Sequence, residues 1–494
     1  MLKSFSKAEK AWAMYDWANS AYATIIMAAI FPIYFTQVAD SAGLQGSIWW
    51  GWGTSASTLV IAVLSPVLGV IGDFKGMKKK MLAFFMAVGI IFTLTMAAFD
   101  EPHLMLMGYI ISYIGFSGSN LFYDSLITDV TTKDRMDRVS TVGYAMGYIG
   151  GSTIPFLISI ALVMFAGSLG LTDSGAVKIS VVLTSVWWGL FSIPILKNTE
   201  QHYYIEKPKH IVNEVFQNLK YSFKNLLLDK SLRMFVLAYF FFIDGVGTVI
   251  HMATAYGSTL GLGTNGMIIA LLVTQLVAVP FSILFGKLAD RIPSVRLIFI
   301  AICVYIVVCV LGFSMGYIME SAEKPVLADE IVIASEVDTA DENLRTAIDK
   351  ALRVQSTSSS QNEIDDAAME LHKALSKISE PTGYDRALKT STILFWILAV
   401  MVGTVQGGIQ SVSRSYFGKL VPAERSNEYF GFFDIFGKFA SIMGPGLYAL
   451  FTALTGRASV GIISISFLFI IGGVLLAASS RDSIFGSKKN SNSR

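Results

Sequence analysis

Long apolar runs separated by short polar connections fill almost the whole chain. Runs of roughly 20 apolar residues, enough to cross a bilayer as helices, lie near 14–36, 47–71, 81–99, 104–123, 142–166, 177–196, 234–256, 264–286, 296–318, 390–411, 430–453 and 459–479. They predict an all-α polytopic membrane protein with twelve transmembrane helices. The connections alternate in charge. One set carries Lys75 and Lys78–Lys80, then Lys133, Arg135 and Arg138, then Lys287, Arg291 and Arg296, then Arg414, Lys419 and Arg425. The other set, near 40–46, 100–103, 167–176, 257–263 and 454–458, carries only Arg457. Lys and Arg are retained on the cytoplasmic side, so both termini and the stretch 197–233 are expected there.

Two stretches interrupt the helices. Residues 197–233 are basic and amphipathic, with Val215, Phe216, Leu219, Phe223, Leu226 and Leu227 set against Lys220, Lys224 and Lys230. Such a segment is expected to lie along the membrane face and tie two halves together. Residues 319–389 are acidic, with helical stretches Asp341–Val354 and Glu363–Ile378 split by Ser356–Ser360. They predict a helical extracytoplasmic insert, with no catalytic spacing or metal cluster visible in it. The expected organisation is 1–196 as the first six-helix bundle, 197–233 as linker, 234–318 and 390–479 as the second bundle, 319–389 as insert and 480–494 as tail.

Composition supports this class. Of 494 residues 53% are hydrophobic and only 15% charged, with a mean hydropathy of +0.57, outside the range of soluble domains. A net charge of +2 gives no reason to invoke nucleic acid. The two cysteines, Cys303 and Cys309, share one apolar run and make no disulfide framework. The basic start (Lys3, Lys7, Lys10) leads straight into an apolar helix with no small-residue cleavage site. No phosphate-binding Gly-x-x-x-x-Gly-Lys-Ser/Thr loop is present, which argues against an ATP-driven pump. The five histidines are scattered over unrelated segments, so neither an enzyme nor a bound cofactor or metal is expected. The expected partners are the lipid bilayer, a small solute and protons.

The chain also repeats itself. Gly69-x-x-Gly72-Asp73, followed by Lys75, Gly76 and Lys78–Lys80, is matched by Gly286-x-x-Ala289-Asp290-Arg291 followed by Arg296. Asp16 in the first helix has a counterpart in Asp244 of the seventh. Gly147, Tyr148 and Pro155 align with Gly437, Lys438 and Pro445. Two pseudo-symmetric six-helix bundles put a substrate site near the midplane between them.

The two Gly-x-x-(Gly/Ala)-Asp loops resemble the signature of the major facilitator superfamily. Three longer stretches resemble its vacuole-effluxer, Atg22-like branch. They are Tyr15-Asp16-Trp17-Ala18-Asn19-Ser20-Ala21-Tyr22 with Phe31-Pro32, Met136–Ser140 with Gly143–Gly151, and Gln410–Ser415 through Pro422, Phe430–Phe432 and Gly437-Lys438. The resemblance implies a two-bundle fold, alternating access and efflux of small solutes, amino acids in the fungal members. It implies a plasma membrane in bacteria or a vacuolar membrane in fungi. The 319–389 insert departs from the family's short loop.

Ionisable groups inside membrane helices are costly and by default functional. On that basis Asp16, Asn19 and Tyr22 in helix one, Asn120 and Asp124 in helix four, and Tyr144 and Tyr148 in helix five are candidates for a solute and ion pathway. So are Asp244 and His251 in helix seven, Gln406 and Gln410 in helix ten, and Asp434 and Lys438 in helix eleven. Asp244 and His251 are seven apart and share a face, as a proton relay requires; a structural histidine is the alternative. Asp434 and Lys438 are four apart, so Lys438 either binds a substrate carboxylate or is neutralised by Asp434. Asp16 alternatively only caps its helix, and the glycines of helix five alternatively serve only packing. Gly72, Asp73, Asp137, Arg138, Asp290, Arg291 and Arg414 are expected to form a conformational gate. In it the loop aspartates cap neighbouring helices, Asp137 pairs with Arg138, and Arg414 pairs around Glu424 and Arg425. Lys78–Lys80 read as a solvated charge run. The competing function is a non-transporting receptor or scaffold built on the 319–389 insert.

Overall fold

The computed structural model describes residues 4–208, 211–335, 342–357, 360–376, 382–439 and 442–479. Among them eleven helices are long and apolar enough to span a membrane. The first six are α1 (Lys7–Ser41), α2 (Gly46–Asp73), α3 (Lys78–Ala98), α4 (Pro102–Val130), α5 (Met136–Met164) and α6 (Asp173–Asn198). A linker helix, α7 (Ile211–Leu228), leads into α8 (Lys230–Thr259), α9 (Thr264–Ala289) and α10 (Ser294–Ser321). The insert supplies α11 (Leu327–Ser335), α12 (Glu342–Thr357) and α13 (Gln361–Leu375), and α14 (Gly383–Leu420) returns through the bundle. The eleventh crossing is α15 (Ser426–Phe439) and α16 (Met443–Thr455), on either side of residues 440–441, and α17 (Ala458–Ser479) is the twelfth. The tail 480–494, like Asp341 and residues 377–378 of the expected insert helices, lies outside the described residues.

Several helices outrun their apolar runs because polar residues cap them. Ser6 and Glu9 form a capping box that starts α1 at Lys7, a full turn and more before Met14. Thr382 and Asp385 do the same for α14, which begins seven residues before the apolar run at Thr390. At its other end α14 continues to Leu420, so Arg414 lies inside a helix instead of in a loop.

Helices α1 and α5 carry π-helical turns, Tyr22–Ala29 and Gly147–Thr153, that lie against each other. Such turns shift the side-chain register and recur at functional sites. The two helices meet closely only because α5 offers glycine: a Cβ on Gly150 would stand 1.8 Å from the Trp17 ring, and one on Gly151 2.3 Å from Ser20.

Helix α7 packs its buried Val215 with Val70 of α2 and Phe74 just after it, and its Phe223 ring meets Phe432 of α15. It therefore touches both halves, while Phe216, Tyr221 and Leu228 remain exposed, as suits a helix on a membrane face. The insert has its own small core around Leu327, Leu344, Ala351, Ala367 and Leu371. His372 of α13 joins it to the bundle, with Nδ1 2.8 Å from Glu330 and Nε2 3.2 Å from Asp385 at the start of α14.

Candidate functional site

A cavity of about 450 Å³ lies between the two halves. The first half lines it with Asp16, Asn19, Ser20 and Thr24 of α1, Asn120, Tyr123 and Asp124 of α4, and Tyr144, Tyr148 and Ser152 of α5. The second half contributes Ile250 of α8, Gln275 of α9, and Gln406, Gln410 and Arg414 of α14. Helical spacing explains the convergence. Asp16, Asn19, Ser20 and Ala23 fall on one stripe of α1, as do Asn120 and Asp124 on α4 and Gln406, Gln410 and Arg414 on α14.

The centre of the site is Arg414. Its Nη2 donates to Asp16 Oδ2 at 3.1 Å and its Nη1 to Asp124 Oδ1 at 3.0 Å. Its Nε donates to Ser140 Oγ at 3.0 Å, and Nη2 also reaches the Ser140 carbonyl. The guanidinium lies over the rings of Trp12 and Tyr144, 4.6 and 4.5 Å from their centroids. Each of its three nitrogens thus donates at least one hydrogen bond within a buried aromatic cage, an environment that suits a planar guanidinium. The Arg414 and Asp16 side chains are 5% and 12% exposed, but Asp124 is 32% exposed, so it is the more open of the two carboxylates that line the cavity. Beside them Asn19 Nδ2 donates to Asn120 Oδ1 at 2.6 Å.

Asp16, Asn19, Asn120, Asp124, Tyr144, Tyr148, Gln406 and Gln410 therefore meet in one place. Five other pathway candidates do not reach it. Tyr22 is fully buried, hydrogen-bonded to Ser112 at 2.7 Å and stacked on Phe116, because it lies well round α1 from Asp16. Asp244 is buried and accepts the backbone N–H of Gly444 at 2.9 Å, capping the start of α16. His251, seven residues on, is exposed and among the described residues has no bond to it. Lys438 pairs with Asp434, which also accepts from Ser65 of the other half at 2.7 Å. Asp434 thus belongs to the contact between halves, and neither residue is part of the cavity lining.

The gate candidates divide similarly. Asp73 accepts the backbone N–H groups of Asn427 (2.9 Å) and Glu428 (3.0 Å), capping α15 from across the boundary. Gly72 permits the approach, since a Cβ there would stand 3.0 Å from the Asn427 side chain. Asp137 does not pair with Arg138. It binds Lys419, Ser415 and Ser294 of the second half, while Arg138 lies over the Phe5 ring. Arg414 does not pair near Glu424 and Arg425 but reaches the cavity. Asp290 and Arg291 are exposed, and among the described residues no side-chain hydrogen bond or ion pair engages them. Lys78 is not solvated: it is fully buried, 2.7 Å from Asp129 and 2.9 Å from Ser426.

Sequence reasoning passed over Ser20, Thr24 and Ser152, although Ser20 lies one turn from Asp16. It also passed over Gln275, a lone amide in the apolar α9, and Trp12 and Tyr123, whose rings flank Arg414.

The comparisons agree with this architecture. The model of the family described as "Vacuole effluxer Atg22 like" matches residues 52–134, 128–325 and 390–483. An uncharacterized MFS-type transporter, YxiO of Bacillus subtilis (strain 168), is 40% identical over 484 residues, which cover 97% of this chain and 96% of that one. Autophagy-related protein 22 of Cryptococcus neoformans is 22% identical over 365 residues, 72% of this chain and 51% of the relative. Among solved structures, the major facilitator transporter FucP in its outward conformation superposes with a TM-score of 0.61 at 10% identity, over 96% of this chain and 98% of that one. The chain belongs to the Atg22-like vacuole-effluxer family of major facilitator transporters, and it is a transporter rather than an enzyme.

Proposed function

We propose that the protein moves a small, polar, amine-bearing organic solute by alternating access, and the amino acids that the resemblance to the fungal effluxers implies are the first to test. The observation that carries this reading is the polar cavity between the halves, with Arg414 held between Asp16 and Asp124. The end with the basic loops is sealed by bonds between halves, and the positive-inside rule makes that end cytoplasmic. On this reading the structure is the outward-facing state, and α11–α13 lie outside the cell. Solute leaving from the cytoplasm would be released from it.

Proton coupling rests on the same three residues instead of on Asp244 and His251. Two carboxylates share one guanidinium, so the surplus negative charge can be neutralised by a proton, and its gain or loss changes how firmly Arg414 holds the halves together.

The test is flux of a labelled amino-acid pool in proteoliposomes, with and without a pH gradient, for wild type and Asp124→Asn. Flux that responds to the gradient in wild type alone supports transport and coupling through this site. Flux unchanged in both respects by the substitution removes Asp124 from the mechanism. Removing the insert helices, residues 327–375, should leave flux intact, whereas a receptor built on the insert would lose its function.

A further inference from the structure

A second pocket, of about 100 Å³, lies inside the second half, between α8, α9, α10 and α14. Its walls are apolar, with Val249, Ala253, Leu271, Val308, Phe395 and Ala399 among them. It shares Ile250, Gln275 and Gln406 with the polar cavity, so those three residues form the threshold between the two. At this threshold the buried Oε1 of Gln275 has no hydrogen-bond partner among the described residues. A buried acceptor left unpaired is costly, and a ligand N–H placed there would satisfy it.

The charges of the polar cavity do not balance. Asp16 and Asp124 face Arg414 alone, and the neighbouring Asp434 and Lys438 neutralise each other. The site therefore has a surplus of one negative charge, on the carboxylate most open to the cavity. A carboxylate arriving with a solute would find no unpaired cation, because Arg414 is already shared by Asp16 and Asp124 and Lys438 is bound to Asp434. Burying such a group unpaired is strongly unfavourable.

We infer that the preferred solute is an organic monocation: a protonated amine bound at Asp124 and Gln275, with a short apolar arm in the second pocket. This rests on the reading of the polar cavity as the solute site. An apolar cavity of about 150 Å³ accommodates benzene, so the smaller pocket suits an arm of about four carbon atoms.

The experiment is calorimetric titration of the purified full chain in detergent with three ligands sharing one branched arm. They are 3-methylbutylammonium, a cation; leucine, the same skeleton with a carboxylate; and 3-methylbutan-1-ol, which is neutral. The cation should bind about 10-fold more tightly than either of the others. Asp124→Asn should abolish that preference. Ala399→Phe, which fills the pocket, should weaken the cation about 10-fold; Ala253→Leu is the second filling variant should the first not fold, as judged by its melting temperature. Leucine binding as tightly as the cation, or filled pockets that leave cation binding unchanged, would overturn the inference. Amino-acid flux in proteoliposomes without cation binding would overturn it while leaving the transporter reading standing. Cation-selective binding without flux of any solute would do the reverse.

Discussion

At the end bearing the basic loops, Asp73, Lys78, Asp137 and Arg414 each bond to a residue of the other half. At the opposite end, Tyr34 bonds to Ser174, Lys178 to Asp100, and Glu320 to Ser459, each within one half. The Lys178 hydrogen bond also holds the Asp100 carboxyl below the usual carboxylate range. Among the described residues the halves are thus fastened to each other at one end, and at the other these bonds stay within one half. Polar bonds suit the fastened end, because water can replace each partner when the halves separate, whereas an apolar seam would have to be solvated outright. The asymmetry extends to the repeated loops. Asp73 is buried on the N-terminus of α15, while its counterpart Asp290 is exposed. The internal repeat therefore does not produce a symmetric lock.

The largest effect should come from the buried ion pair. Lys78→Ala strands the Asp129 carboxylate among buried groups, and loss of one member of such a pair costs about 3–5 kcal/mol. Lys80→Ala, at an exposed neighbour, should change stability by less than about 0.5 kcal/mol. Thermal unfolding in detergent separates the two, and equal melting temperatures would mean that Lys78 is solvated in the resting protein.

Next in size is the comparison between the two loop aspartates. Asp73→Ala leaves the Asn427 and Glu428 N–H groups without their acceptor, at a cost of about 1–3 kcal/mol to the closed end. Asp290→Ala should cost less than about 0.5 kcal/mol. The readout is modification of Gln410→Cys, in a background lacking Cys303 and Cys309, by an impermeant thiol reagent applied from the basic side. Asp73→Ala should accelerate labelling and Asp290→Ala should not. Equal acceleration would show that both loops bear on the closure.

Much of this was legible in the sequence. Hydropathy and charge alternation suffice for the crossings, because the membrane admits few other solutions. Helical spacing brings Asp16, Asn120, Asp124, Gln406 and Gln410 to one cavity because each lies on the polar stripe of its helix. Spacing says which residues share a face but not what that face meets. Asp244 meets the start of α16, and Tyr22 packs against Ser112, Phe116 and Trp188. Lys78 looked like one of three equivalent lysines because the positive-inside rule counts charges without regard to burial. Arg414 looked like a loop residue because α14 continues beyond its apolar run, an extension that depends on packing across the halves.

The smallest effect concerns the unfastened end and is the most informative about it. Tyr34→Phe removes a hydroxyl that bonds to Ser174 at 2.7 Å and to Asp100 at 3.3 Å. The expected loss is about 1 kcal/mol of stability, and it falls within the first half. Labelling of Gln410→Cys from the basic side should be unchanged, since none of the broken bonds crosses the boundary. Faster labelling would show that strain at one end reaches the other through α1, whose π-helical turn lies between Tyr34 and Asp16. That helix would then be a lever between the two ends as well as a wall of the cavity.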